Sequence, residues 1–200
     1  MTNIIKKIID SKIYGVVRAD ETARAVEIAT AYAEAGIKVI ELNSTLEAVQ
    51  EVAKNTDIIV ATGGIITTWQ AQKALEAGSK LLVSPILQMG LVKFSSWNKI
   101  PLILSASTPN EAYCAWKARI PLIKIYPVRD LGGTTYIEDL LRPMNFLNVI
   151  PAGNVNLNNI KAYLKAGASA VALGRELYLD KNYDEILKAA KLAIKEAQEV

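Results

Sequence analysis

The sequence predicts an α/β fold, a (β/α)8 TIM barrel formed as a single domain over residues 1–200 with a short N-terminal helix at about 2–10. Three observations carry this expectation. Short runs rich in Val and Ile alternate with amphipathic or Ala-rich stretches along the whole chain, the pattern of βαβ units around a parallel sheet. The strand candidates number eight, at 13–17, 37–41, 57–61, 80–84, 101–105, 121–126, 147–151 and 169–174. A helix ending in Ala-Gly before a strand recurs at Ala35-Gly36, Ala77-Gly78 and Ala166-Gly167, where glycine suits a left-handed helix cap.

The helices between these strands are expected at 21–35, 46–55, 68–77, 88–97, 109–118, 135–141, 157–166 and 183–198. Eight such units in 200 residues fit a compact barrel better than an open doubly wound sheet. That alternative usually carries a Gly-rich first turn, whereas the turn after the first strand here reads Arg18-Ala19-Asp20.

Composition removes several function classes. Half the residues (51%) are apolar and 22% are charged, enough to bury a sizeable core in a soluble globular protein. Lys and Arg number 23 against 20 Asp and Glu, and the longest basic run is Lys6-Lys7, so no nucleic-acid partner is expected. The chain has no histidine, which excludes Ser-His-Asp triads, Cys-His pairs and His-rich zinc sites. Its single cysteine, Cys114, excludes intramolecular disulfides and multi-Cys metal sites. Between Tyr113 and Ala115-Trp116, Cys114 reads as a buried helix residue.

Isoleucines at 4, 5, 8 and 9 around Lys6-Lys7 read as an amphipathic helix and not as a signal peptide. No apolar run approaches the roughly 18 residues of a membrane span, so no membrane partner and a cytoplasmic location are expected.

In a barrel of this kind the reacting groups lie at the C-terminal ends of strands and in the loops that follow. Two residues break the apolar pattern there. Lys124 stands mid-strand between Ile123 and Ile125, where desolvation disfavours an ammonium and favours the neutral amine that Schiff-base chemistry uses. The competing reading is a snorkelling lysine or one held in a structural ion pair. Glu41 ends its strand and, at period two, shares a face with Ile37 and Val39. It could shuttle protons for a neighbouring amine, or serve as a buried partner that neutralises Lys124 or Arg18.

The loops after strands seven and eight contain Gly153-Asn154 and Gly174-Arg175. Their backbone N–H groups, a short helix N-terminus and the guanidinium suit a phosphate, although Gly153-Asn154 is also ordinary turn chemistry and Asn156 a good N-cap. Trp69, Trp97 and Trp116 fall on helices and are expected in packing or subunit contacts.

The succession Ile13 to Ala19, Glu41 with Thr45, Ser84-Pro85, Thr108-Pro109-Asn110-Glu111, Lys124-Ile125-Tyr126-Pro127, Gly132-Gly133, Pro151-Ala152-Gly153-Asn154 and Gly174 resembles the 2-keto-3-deoxy-6-phosphogluconate (KDPG) and 4-hydroxy-2-oxoglutarate aldolases over nearly the whole chain. The lysine strand followed by an aromatic and a proline is its most specific part. The resemblance implies a lyase of carbohydrate metabolism, a class I aldolase on a trimeric barrel that cleaves a 2-keto-3-deoxy sugar acid phosphate to pyruvate and an aldehyde. It implies no metal or organic cofactor. Lys124 would form the Schiff base, Glu41 would handle protons, and Arg18 and Thr45 would lie near the pyruvyl carboxylate.

The chain departs from the family's pattern at several positions. Members usually carry Gly-Thr where it has Gly63-Gly64, Gly or His at Ile86, Pro-Gly at Leu104-Ser105, Gly-Gly at Gly153-Asn154, and Ser at Arg175. The absence of a hydroxyl at Gly64 takes away a carboxylate contact, and the altered phosphate loop bears on which aldehyde is accepted. Two alternatives stay open at this point: a phosphate-binding barrel isomerase or synthase, and a trimeric homologue that has lost activity and serves a binding role.

Overall fold

The computed structural model describes residues 2–200. Its strands are β1 (Ile13–Val17), β2 (Val39–Leu42), β3 (Ile59–Thr62), β4 (Leu81–Ser84), β5 (Leu102–Ala106), β6 (Ile123–Ile125), β7 (Val149–Pro151) and β8 (Val171–Leu173). All neighbours are parallel, in the order β7-β6-β5-β4-β3-β2-β1-β8. The Ser169 N–H donates to the Val149 carbonyl at 2.9 Å, bridging the two ends of the sheet. The expected (β/α)8 barrel is therefore the observed fold.

Helices α1 (Asn3–Ser11), α2 (Thr22–Ala35), α3 (Leu46–Asn55), α4 (Thr68–Glu76), α5 (Met89–Asn98), α6 (Pro109–Lys117), α7 (Gly133–Leu141), α8 (Ile160–Lys165) and α9 (Tyr183–Gln198) accompany the strands. A 3-10 turn at Arg175–Leu177, which periodicity did not foresee, follows β8. The repeated Ala-Gly signal marks helix ends as expected. At Gly36 the backbone adopts φ +104, and its N–H reaches the Tyr32 and Ala33 carbonyls, a conformation a side chain would strain.

That cap also shortens β2. The Ile37 N–H is drawn back to the Tyr32 carbonyl at 2.9 Å, so pairing starts at Val39 rather than at 37. Helix α8 likewise starts later than its expected start at 157, with Asn159 at its N-cap position and its side chain accepting from the Asn156 N–H instead of capping the helix. Asn156, read as its N-cap, instead accepts from the Asn158 N–H at 3.0 Å in the preceding turn.

Alternation along the strands divides the core in two. Outward residues such as Ile13, Val17, Ile40 and Leu104 pack under the helices, while inward Tyr14, Val39, Ala61, Leu81, Ile103, Leu122 and Ile150 fill the barrel. Helix α1 closes the barrel floor, because Ile5 and Ile8, one turn apart on its apolar stripe, join that inner cluster.

The expectation for Cys114 needs correction, and for Trp69 and Trp97 only packing within the chain is set aside. Cys114 is half-buried on α6, since its helix turns it toward the edge of the packed face. Trp69 and Trp97 are 68% and 87% exposed and pack little within the chain, whereas Trp116 stacks beside Tyr113 and Phe146 on the surface. Among the described residues, no helix is long and apolar enough to cross a membrane.

Candidate active site

The lysine and the glutamate, 83 positions apart in sequence, meet inside the barrel. Lys124 on β6 and Glu41 on β2 both point inward, and Lys124 Nζ donates to Glu41 Oε1 at 2.9 Å and to Oε2 at 2.7 Å. Their side chains are only 10% and 3% exposed. Two charges this far from solvent are tolerated when they are paired and hydrogen-bonded to each other. The chain supplies a third partner, since Asn43, next inward along the same strand direction, donates from Nδ2 to Glu41 Oε1 at 2.9 Å.

The neighbouring strand makes room for this arrangement. A Cβ at Gly63 would fall within 2.5 Å of Glu41 Oε1, so the absent side chain lets the backbone pass close to the carboxylate. On β5, Ser105 is in register with Lys124 and shares its inward direction, bringing a hydroxyl beside the amine.

Above the pair opens a cavity of about 820 Å3 at the C-terminal end of the strands. Seven of the eight residues anticipated from the sequence line it: Lys124, Glu41, Arg18, Gly153, Asn154, Gly174 and Arg175. Thr45 does not. Its hydroxyl caps α3 by accepting the Ala48 N–H at 3.1 Å, and it lines an adjoining recess of about 460 Å3 shared with Arg18, Asn43 and Gly64. The helix start one residue later uses the oxygen as an acceptor and leaves the hydroxyl proton free to donate.

Arg175 is exposed at the rim, and Lys181, which sequence reasoning did not single out, also lines the cavity. The segment carrying it is anchored from β1 and α2. The Arg18 N–H donates to Tyr178 Oη at 3.0 Å, and Arg24 donates to the Tyr178 and Lys181 carbonyls at 2.9 and 2.6 Å.

Asn43, Ser105 and Tyr14 are the other residues missed. All three follow inward parity on their strands, a signal present in the sequence once the registers are known. The Tyr14 hydroxyl lies within the barrel facing Glu41. Burial above all, then the charge of Glu41 and the approach of its carboxylate, hold this phenol well above the ordinary range, so it stays protonated. Among the described residues, no group of three or more His, Cys, Asp or Glu is placed to hold a metal ion.

A buried amine bonded to a carboxylate, at the base of a basic-rimmed cavity on the C-terminal face of a (β/α)8 barrel, defines the class as a barrel protein equipped for amine and acid–base chemistry. The chain belongs to the KDPG and KHG aldolase family, whose model matches residues 4–189. Its relatives include the 2-dehydro-3-deoxy-phosphogluconate aldolase of Haemophilus influenzae, a lyase, 29% identical over 92% of this chain and 91% of that one.

Among solved structures, the KDPG aldolase of Zymomonas mobilis ZM4 with 3-phosphoglycerate superposes with a TM-score of 0.87, at 21% identity over 96% of this chain and 94% of that one. The KDPG aldolase of Legionella pneumophila, with pyruvate captured as a covalent carbinolamine, gives 0.82 at 20% identity over 100% and 98%. At these identities the two structures establish likeness of fold.

Proposed function

We propose that this chain is a pyruvate-dependent class I aldolase that cleaves a 2-keto-3-deoxy sugar acid phosphate such as KDPG. The observation that carries the reading is the doubly hydrogen-bonded Lys124–Glu41 pair at the base of the cavity. Lys124 gives its proton to Glu41 and attacks the C2 carbonyl of the keto acid. The carbinolamine loses its hydroxyl as water, protonated by Glu41, and leaves an iminium. Glu41 then takes the proton of the C4 hydroxyl, the C3–C4 bond breaks to release the aldehyde, and the electron pair is held as an enamine. Protonation at C3 and hydrolysis of the imine return pyruvate and the free lysine.

Arg18 at the wall shared by the two recesses is proposed to face the pyruvyl carboxylate. Thr45, in the same recess, is proposed to donate its hydroxyl to that carboxylate while the oxygen accepts the cap bond of α3. Gly153, Asn154, Gly174 and Arg175 are proposed to receive the phosphate, with Lys181 adding charge on the same rim. The bound 3-phosphoglycerate of the Zymomonas relative supports a phosphorylated ligand in this family. Homotrimeric assembly belongs to the same reading, supported by the family resemblance and by the exposed Trp69 and Trp97.

Incubation with pyruvate and borohydride followed by peptide mapping tests the proposal. A reduced three-carbon adduct on Lys124 and turnover of KDPG are expected. An adduct elsewhere, or none, overturns the Schiff-base reading. Trapping without turnover would assign the chain to a binding role, the alternative that the missing hydroxyl at Gly64 keeps open.

A further inference from the structure

Three buried side-chain oxygens among the described residues have no hydrogen-bond partner: Tyr14 Oη, Tyr32 Oη and Thr62 Oγ1. Such groups are rare in folded proteins and ask for a reason. Tyr32 packs outside the sheet against Gly15, and Thr62 has the outward parity of Val60. Tyr14 alone of the three is inside the barrel, fully buried, one inward position below Val16, which is in register with Glu41. Phenylalanine would fill this place without leaving an unpaired oxygen. The hydroxyl faces Glu41, the one charged group that acts on it.

In the resting site it makes no hydrogen bond, and the carboxylate already accepts three of the roughly four bonds it can take. Glu41 Oε1 accepts from Lys124 and Asn43, and Oε2 accepts from Lys124. Schiff-base formation changes that, because an ammonium carries three N–H donors and an iminium carries one. The carboxylate must then give up at least one of its two bonds to Nζ. We propose that Tyr14 is a positioning residue for Glu41, its hydroxyl turning to donate to the carboxylate once Lys124 is covalently bound to substrate. Tyr14 keeps its proton throughout and exchanges no bond other than this hydrogen bond. The donor holds the carboxylate aimed at the C4 hydroxyl, ready to take its proton as the C3–C4 bond breaks.

The inference rests on the proposed Schiff base at Lys124. Lys124 from β6 and Tyr14 from β1 are the ionisable groups that face Glu41 within the barrel. The other ionisable groups of the cavity, Arg18, Tyr126, Arg175, Glu176, Tyr178 and Lys181, lie toward its mouth and are unchanged by substitution at 14.

The test is Tyr14→Phe in the full chain, read by pyruvate trapping, thermal unfolding, and kcat and KM as functions of pH. Expected are a Tm at or above wild type, full trapping on Lys124, kcat about tenfold lower with KM within about twofold, and an acid limb of the kcat profile moved up by about one pH unit. Full trapping with an unmoved pH profile overturns the proposal, as does a joint fall of Tm and kcat with that profile unmoved, which would assign Tyr14 to packing. Failure of the wild type itself to trap pyruvate would overturn the Schiff-base reading, and this inference with it, before the variant is compared.

Discussion

The base and the mouth of the cavity are built on opposite terms. At the base, Lys124 and Glu41 are strand side chains shielded from water and bonded to each other, and half-buried Asn43 just past β2 adds a bond to Glu41. At the mouth, Arg18, Asn154 and Arg175 are exposed and stand on loops. Low dielectric and fixed geometry make each bond at the base strong and each loss severe, whereas charges at the mouth are screened and replaceable. On the proposed function, the comparison teaches that the reaction type resides in the barrel and the choice of substrate in the loops. Departures from the family's pattern fall in both regions, at Gly153-Asn154 and Arg175 in the mouth and at Gly63-Gly64 and Leu104-Ser105 beside the base, while Lys124 and Glu41 keep the pattern.

Substitutions can break that division. Lys124→Met is expected to have the largest effect. Turnover should fall by on the order of 10⁴ or more, with no borohydride adduct, because no other amine replaces the nucleophile. It should also lower stability by about 3–5 kcal/mol at neutral pH in denaturant titrations, since a buried carboxylate is left without its cation. Equal stability of the two proteins would show that the base is more solvated than its burial implies.

Glu41→Gln comes next. It preserves shape and removes the titrating oxygen, so kcat should fall by about 10² to 10⁴ in steady-state assays. Near-wild-type kcat would reassign Glu41 to structure and erase the contrast with the mouth.

Arg175→Ala sharpens the comparison from the other side. KM for a phosphorylated substrate is expected to rise by about tenfold while pyruvate trapping at Lys124 is unchanged. Equal turnover of phosphorylated and unphosphorylated substrates, with no response to this change, would mean that the mouth takes an unphosphorylated keto acid.

The smallest effect is expected at Glu111, on the helix that follows β5. N–H groups of Ser107 and Thr108 hold its carboxyl below the usual range, Ser107 having the larger influence. A carboxyl lowered in the folded state contributes stability above its unfolded value of about 4.5, and that contribution is lost as pH falls through the folded value. Glu111→Gln should therefore cost under about 1 kcal/mol at pH 7, with the difference from wild type shrinking in acid. A difference that grows in acid would contradict the assignment.

Much of the barrel was legible before any coordinate. Eight short Val- and Ile-rich runs, each followed by a helical stretch, became eight parallel strands, and the Ala-Gly repeats became helix ends. Errors fell at element starts, where a local bond overrode periodicity, as when the cap at Gly36 drew in the Ile37 N–H. The site was legible in parts. A lysine between isoleucines and a glutamate on an apolar face stand out against their strands, but Asn43, Ser105 and Tyr14 are unremarkable beside their sequence neighbours. Thr45, anticipated near a carboxylate, also caps α3 and lines the recess that adjoins the main cavity, a second task its sequence neighbours do not announce.

The sequence by itself determined the order of elements and the inward face of each strand, because side-chain alternation and helical periodicity are properties of a few consecutive residues. Only the tertiary structure decided that Glu41 meets Lys124, that Asn43 completes its partners, and that Tyr14 is left below it with an idle hydroxyl. Those facts depend on strand registers and on closure of the sheet, which bring β2 and β6 across the barrel to hydrogen-bonding distance. Registers are set by the packing of the whole barrel and not by any one strand.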